Sequence, residues 1–387
     1  MQVRALAWVG ARFAAAVWLA AAAVAAQSQA PETESFEELA RRAASLLDSR
    51  PDQAADFYRR ALAIRSTWAE GWLYLGAAYY QSARYAEASD AFRKGLKLLP
   101  NSGTAWAFLG LCEAELDNAE QALADIGKGE ALGLGNNLAF ETAVRVKATQ
   151  LMVEASNFGE AMMHLEPLSR KSVDSRAVAD TMGLAMLGVP AKYSELSGRR
   201  REVVKLAGEA AWSLATRKPA EAEAAYAQLL RLYPEEAGVH YAYGMYLMET
   251  DPAAALEQFQ TEARLHPKHW PALIMVGSLE TREGRAEPAL DALQKAIRIA
   301  PPEQRWVCRA QMGQAHMTAD RLEPAIAEFE TAVRLMPDNA SIRYLLAQAY
   351  RRAGRQQDAE RENAAFEKLK VRQDPLGVGA LRPFGND

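Results

Sequence analysis

The sequence predicts an all-α protein, an α-solenoid of about nine stacked helix-turn-helix units with one irregular junction. Three observations lead there. Good helix formers (Ala, Leu, Glu, Arg, Gln) dominate the 387 residues, whereas aromatic residues make up 8% and β-branched residues are sparse. A fixed spacing of large and small apolar residues returns with a period near 34 residues, from Trp72 to Trp106 and onward. Prolines recur in step with it, where each unit ought to end. Composition narrows the function as well. With 50% apolar and 24% charged residues the chain is not generally disordered, and two cysteines cannot make a disulfide scaffold. A formal charge of −4 argues against non-specific nucleic-acid binding, which depends on neutralising phosphates.

The amino terminus reads as an export signal over residues 1–26. Arg4 and Arg12 give a positive start, Phe13 to Ala26 is an uncharged apolar run, and Val24-Ala25-Ala26 offers small residues for cleavage before Gln27. As a helix this run reaches only ~21 Å, short of the ~30 Å hydrocarbon core of a bilayer. An uncleaved membrane anchor is the minority alternative. No Cys lies near the junction, which excludes a lipid-modified bacterial terminus, and no later stretch is long and apolar enough to span a membrane. The expectation is an exported protein, periplasmic or extracellular, with no integral membrane segment after signal removal.

From about residue 35 the repeated pattern takes over. Trp72, Leu75, Gly76, Tyr79, Ala88, Phe92 and Pro100 fit W-x2-L-G-x2-Y…A-x3-F…P, and Trp106, Leu109, Gly110, Ala122 and Ile126 repeat it. Ala54, Tyr58 and Ala61 mark an opening unit, and Ala161, Leu165 and Leu168 a degenerate fourth. Ala222, Tyr226, Leu229 and Pro234 close another. Tyr243, Gly244, Leu247, Phe259 and Pro267 form the next, one residue short in its inter-helix turn. Val276, Gly277, Ala289, Leu293, Ala296 and Pro301 follow, then Met312, Gly313, Ala325, Phe329, Ala332 and Pro337. Leu346, Ala347, Tyr350 and Ala359 open the last unit, which lacks its closing proline.

The spacing has a physical cause. The glycines at 76, 110, 244, 277 and 313 let the first helix of a pair meet the second closely, and Ala88, Ala289 and Ala325 serve that contact from the other side. Trp72, Tyr79, Phe92, Phe259 and Phe329 are expected to fill the space between neighbouring units. Each proline ends a helix and resets the chain. One unit cannot bury its own apolar face, so stability comes from stacking.

The pattern resembles the tetratricopeptide repeat (TPR) family over residues 35–373. The resemblance implies a right-handed superhelix whose concave face is lined mainly by the first helix of each pair. It also implies a binding role. Members that take up chaperone tails hold a terminal carboxylate with Lys and Asn on successive first helices. The matching positions here are largely apolar or small, so no such clamp is expected.

Periodicity breaks once. After Met182-Gly183-Leu184 the expected second helix is missing, and Gly188, Pro190, Ser194, Ser197 and Gly198 interrupt the pattern ahead of Arg199-Arg200-Arg201. The chain divides accordingly into an N-terminal array over 35–187, an irregular junction over 188–202, a C-terminal array over 203–373 and an irregular tail over 374–387. Cys112 and Cys308 fall several units apart, too far for a bridge, and are expected as small core residues.

Little in the chain invites chemistry. His266 and His269 flank Pro267 at a turn and have no adjacent third ligand, while His164, His240 and His316 fall singly within helices. Gly133-Leu134-Gly135 lacks the third glycine of a phosphate loop and sits where a turn belongs. No Walker lysine motif, H-E-x-x-H or G-x-S-x-G occurs. Neither catalytic residues nor a metal nor a cofactor is expected. The basic run at Arg199 reads as a solvated loop, or less readily as a patch for an acidic partner.

The concave face is the informative surface. Its expected partner-binding residues are Leu73, Tyr74, Tyr80, Phe108, Leu111, Tyr241, Met245, Met248, Ile274 and Met275. Aromatic and methionine side chains on a groove suit an apolar or helical segment laid into it. The sequence thus points to a non-enzymatic interaction scaffold of the cell envelope holding a protein or peptide. Two other readings stay open. One is a structural or assembly subunit of an envelope or secretion complex, working through its edges or outer face. The other is an accessory subunit of a cell-wall or polysaccharide enzyme, although no segment is left over for a catalytic domain.

Overall fold

The computed structural model describes residues 34–171, 173 and 175–373, so the expected signal and the 374–387 tail lie outside the described residues. All regular structure among the described residues is helical, and the helices stack in antiparallel pairs as an α-solenoid. The first three pairs are Phe36–Leu46 with Pro51–Ile64, Ala69–Gln81 with Tyr85–Leu98, and Gly103–Glu115 with Ala119–Leu132. Leu138–Glu154 and the short Phe158–His164 and Glu166–Arg170 follow. Further on come Arg176–Met186, Gly198–Ala215 and Pro219–Leu232, then four more pairs. These are Val239–Leu247 with Pro252–Leu265, Trp270–Arg282 with Ala286–Ile299, Arg305–Thr318 with Leu322–Leu335, and Ala340–Arg352 with Gln356–Gln373.

Local chemistry sets the helix ends. Ser35, Ser102, Asp251 and Asn339 cap helix starts by accepting the backbone N–H three residues on. Second helices end at Leu98, Leu232, Leu265, Ile299 and Leu335, each two residues before a proline that forbids the helical conformation at the residue preceding it. Within a pair, the turn uses one left-handed residue at a fixed place: Ala83, Asp117, Ser156, Arg217, Gly284, Asp320 and Gly354, with φ between 55° and 76°. The turn expected to be one residue short, at Glu249–Asp251, has no such residue and relies on the Asp251 cap.

The glycines do what their spacing implied. A Cβ on Gly76 would lie 2.9 Å from the Phe92 ring, and one on Gly244 or Gly313 would lie 2.7 Å from Phe259 or Phe329. These rings therefore pack first on the glycine of their own pair. Phe92 reaches the next pair as well, stacking on Phe108 with centroids 5.4 Å apart. Trp72 fills less than expected: it is half-buried, and its indole N–H donates to the Ser66 carbonyl at 2.9 Å. Trp106 makes the same bond to Pro100, at 2.8 Å.

The helices form two compact units. The described residues within Met1–Met152 and Met163–Val173 make the first, and those within Val153–Met162 and Asp174–Asp387 the second. In the second unit, Phe158 packs on Trp270 with ring centroids 6.4 Å apart, and Gln304 Nε2 donates to the Ala155 carbonyl at 3.4 Å. The expected irregular junction over 188–202 is corrected. Helix Gly198–Ala215 packs on Arg176–Met186, where a second helix was expected to be missing, and also serves as the first helix to Pro219–Leu232; the irregular stretch shrinks to 187–197, itself holding a 3₁₀ turn at Tyr193–Glu195. Arg199, Arg200 and Arg201 lie in the first turn of that helix instead of a loop. Arg199 Nε pairs with Glu236 at 3.0 Å and Arg200 donates to the Ala237 carbonyl at 2.7 Å.

Candidate functional site

Two successive first helices of the first unit, Ala69–Gln81 and Gly103–Glu115, bring the candidate site together with residues just past the ends of their neighbours. Ala69–Gln81 offers a stripe at helical spacing, Glu70, Leu73, Tyr74, Ala77, Tyr80 and Gln81. Leu47 flanks it from the preceding pair, Leu99 from just past the second helix of its own pair, and Thr104 and Phe108 from the following pair, around a hollow of 140 Å³. The aromatic residues are held by neighbours. Tyr74 stacks on Tyr58 with centroids 5.7 Å apart, and Tyr80 meets Phe108 edge-on at 5.7 Å. Phe108 in turn packs on Phe140, at 4.6 Å. Burial raises the pKa of Tyr74, helped by the Glu70 charge, and burial also raises that of Tyr80, with Glu115 adding to it. Both hydroxyls stay protonated at neutral pH.

Of the residues expected on the concave face, Leu73, Tyr74 and Tyr80 are partly exposed and line the hollow, while Phe108 forms its floor with 7% exposure. Met245, Met248 and Met275 are partly exposed on the second unit, packed against Phe259 and Val276. Three expectations are corrected. Leu111 (2% exposed), Tyr241 (5%) and Ile274 (7%) are core side chains. Leu111 shares a core cluster with Phe140 and Val144, Tyr241 is boxed in by Phe259 and His269, and Ile274 packs with Cys308 and Met312. Sequence reasoning missed Glu70, Gln81, Leu47 and Leu99. The first two could have been found by extending the Leu73–Tyr74 stripe one turn back and two turns on. Leu47 and Leu99 lie outside the first helices, and no periodicity marks them.

One constellation resembles catalytic machinery. His164 Nε2 lies 3.1 Å from Glu130 Oε2, and its Nδ1 lies 3.1 Å from Thr149 Oγ1. Thr149 is 0% exposed, so its hydroxyl meets no substrate. Arg145 pairs with Glu130 and with Glu141, and the group ties helices together. Cys112 and Cys308 are both fully buried; burial pushes the Cys308 thiol up to about 12 and raises that of Cys112 further. Gly133 and Gly135 form the expected turn, at φ 95° and 76°, values glycine adopts without strain. His266 and His269 sit at the turn between Pro252–Leu265 and Trp270–Arg282, where His269 Nε2 donates to the Leu187 carbonyl at 3.1 Å. Among the described residues no three His, Cys, Asp or Glu side chains are arranged to hold a metal ion, and no helix is long and apolar enough to cross a membrane.

A second hollow, of 390 Å³, opens on the opposite side between second helices, lined by Arg59, Leu62, Trp72, Tyr79, Glu87, Asp90 and Lys94. Its charges are largely spoken for. Arg59 bonds Asp56, Glu87 bonds Arg84, and Lys94 lies 4.7 Å from the Trp72 ring centroid.

Two signatures, both described as tetratricopeptide repeat, match the chain, one over residues 69–102 and the other over 213–251, 249–303 and 311–373. No curated protein matches it. Similar solved structures include MamA 41-end from Desulfovibrio magneticus RS-1, 21% identical, covering 46% of this chain and 99% of that one with a TM-score of 0.41. Another MamA crystal structure is 18% identical and covers 43% and 96%, with a TM-score of 0.39. A Pseudomonas aeruginosa pilF structure is 17% identical and covers 46% and 86%, with a TM-score of 0.41. Given the repeat signatures and the stacked pairs that bear them out, the chain belongs to the tetratricopeptide-repeat family, whose fold suggests a protein–protein interaction scaffold.

Proposed function

We propose that this protein is a non-enzymatic scaffold of the cell envelope that holds a protein segment in the groove across Ala69–Gln81. The observation that carries the reading is the partly exposed stripe of Leu73, Tyr74, Ala77 and Tyr80 above a hollow of 140 Å³. Small-molecule pockets run to ~300–1,000 Å³. This one has room for one or two side chains, which is what a docked peptide inserts. Tyrosines held by neighbouring rings lose little freedom on binding and suit interface anchors. The envelope assignment rests on the apolar run from Phe13 to Ala26 behind Arg4 and Arg12.

The test is affinity capture from envelope extract with the wild type and the Leu73→Ala/Tyr80→Ala variant. Loss of one specific co-eluting protein, with circular dichroism unchanged, supports the groove. Retention of every partner by the variant refutes it. Amino-terminal sequencing of the exported protein should begin at Gln27, and full-length chain in the membrane fraction would indicate an anchor instead.

A second reading has its own observation. Almost every second helix of a pair ends on an exposed aliphatic residue: Ile64, Leu98 and Leu132 in the first unit, and Leu232, Leu265, Ile299 and Leu335 in the second. Exposed aliphatic residues recurring at the same helix ends would favour assembly through edges. Replacing Ile64, Leu98 and Leu132 with Ser, with the groove intact, separates the two.

A further inference from the structure

We infer that the groove takes a cationic apolar peptide, its apolar side chains over Leu73, Tyr74, Ala77 and Tyr80 and a lysine or arginine against the Glu70 carboxylate. The inference rests on the reading of this groove as the partner site and adds the chemistry of the occupant. Glu70 opens the same stripe, three and four residues before Leu73 and Tyr74, and so lies on the groove face of the helix. It is exposed, and among the described residues no basic side chain pairs with it. It is also the charged member of a lining that holds no lysine or arginine. Near Tyr80 the other acid, Glu115, is already engaged by Lys147 Nζ at 2.6 Å. Burial is the main cause of the raised Tyr74 pKa, and the nearby Glu70 charge adds to it.

These features select among occupants. A purely apolar segment would cover a carboxylate without compensating its lost hydration, and an acidic one would be repelled. A basic side chain would pair with Glu70 and find the Tyr74 ring, one turn on, beside it. Because the rim is wet, the pair contributes selectivity of about two- to five-fold and weakens with salt.

Three acetylated synthetic peptides test this, identical in an apolar helical stripe and carrying lysine, norleucine or glutamate at the position meant for Glu70. Fluorescence anisotropy at low salt gives each affinity for the full chain and for its Glu70→Gln and Tyr80→Ala variants. The expected result is lysine tightest and glutamate weakest, with the order lost in Glu70→Gln and all binding weakened in Tyr80→Ala. A helix start favours an acid on its own account. If that is the whole role of Glu70, Glu70→Gln lowers the melting temperature and leaves the peptide order intact, which overturns the inference. Equal binding of all three peptides, lost in Tyr80→Ala, also overturns it while keeping the groove. No binding of any peptide removes the groove reading itself. A concentration-dependent dimer in sedimentation that Tyr80→Ala dissolves makes a second copy the occupant and overturns the peptide.

Discussion

Gly183 and Gly208 meet backbone to backbone. A Cβ on Gly183 would lie 2.1 Å from the Val204 carbonyl oxygen, and one on Gly208 would lie 2.0 Å from that of Ala179. This contact seats Gly198–Ala215 on Arg176–Met186 across an eleven-residue connection, 187–197, where the regular pairs use three or four. Neither glycine can be replaced without moving a main chain.

Gly183→Ala or Gly208→Ala should therefore lower the stability of the second unit by ~3 kcal/mol or more, through overpacking against backbone that cannot rotate away. Gly127→Ala is the control. Gly127 is exposed within Ala119–Leu132 with nothing within 4 Å of an added Cβ, and the change should stabilise by ~0.5–1 kcal/mol. Urea midpoints of the three variants, compared at a common m-value, check both signs.

Limited trypsin digestion should cut first after Lys192, which is exposed in the 187–197 stretch. Arg199, Arg200 and Arg201 are protected by a helical turn and by bonds to Glu236, Ala237 and Ser194. Mass spectrometry of the earliest fragments distinguishes the two sites, and initial cleavage at the arginines would mean that this turn frays.

Acid should weaken the second unit through His269. A carbonyl only accepts, so Nε2 facing Leu187 carries the proton of the neutral ring, and Nδ1 stands without a partner 3.6 Å from Glu262 Oε1. Burial lowers the His269 pKa against the opposing pull of Glu262, and His266 and Arg200 push the same way as burial. Burial lowers that of His316 too. A folded pKa below the unfolded value of ~6.5 means that the unfolded chain binds more protons, so stability is lost as pH falls below ~6.5. His269→Gln keeps a donor for Leu187 and removes the titration. Its urea midpoint should fall less than that of the wild type between about pH 7 and about pH 5.

Arg217→Gly should stabilise by ~0.5–1 kcal/mol, because Arg217 holds φ at 62°, where a side chain is strained and glycine is not. Asp117→Gly, at φ 60°, should gain less, since aspartate tolerates this conformation. Thermal melts of the two variants rank the turns. A fall in both would show that the side chains contribute more than the strain costs.

Much of this was written in the sequence, and the exceptions have physical reasons. Gly76 against Phe92 and the helix ends before Pro100, Pro234, Pro267, Pro301 and Pro337 follow from sterics that act within one pair, so spacing alone reveals them. Gly198–Ala215 was hidden because Gly183 is met by Gly208, a glycine outside the usual register, after a connection about three times the normal length. The concave face was half legible for a related reason. Ile274 holds the same place in its helix as Leu73 does in Ala69–Gln81, but exposure depends on what the next pair lays over it. Leu73 is left partly open, whereas Ile274 is covered by the cluster around Cys308 and Met312. Repeat position gives direction; the neighbour decides accessibility.

The placement of Val153–Met162 in the second unit shapes how that unit reaches its native state. Helix pairs close over a few tens of residues and form quickly, as contacts local in sequence do. Gln304 with Ala155 spans 149 positions of chain, and Phe158 must find Trp270 across most of that distance. Loop-closure entropy puts such contacts last. Refolding of the full chain should thus show a fast phase in far-ultraviolet dichroism followed by a slower one in Trp270 fluorescence. Phe158→Ala should leave the first rate untouched and accelerate unfolding. The late event belongs to an annealing step, in which a finished array captures a strand of chain made long before its partners.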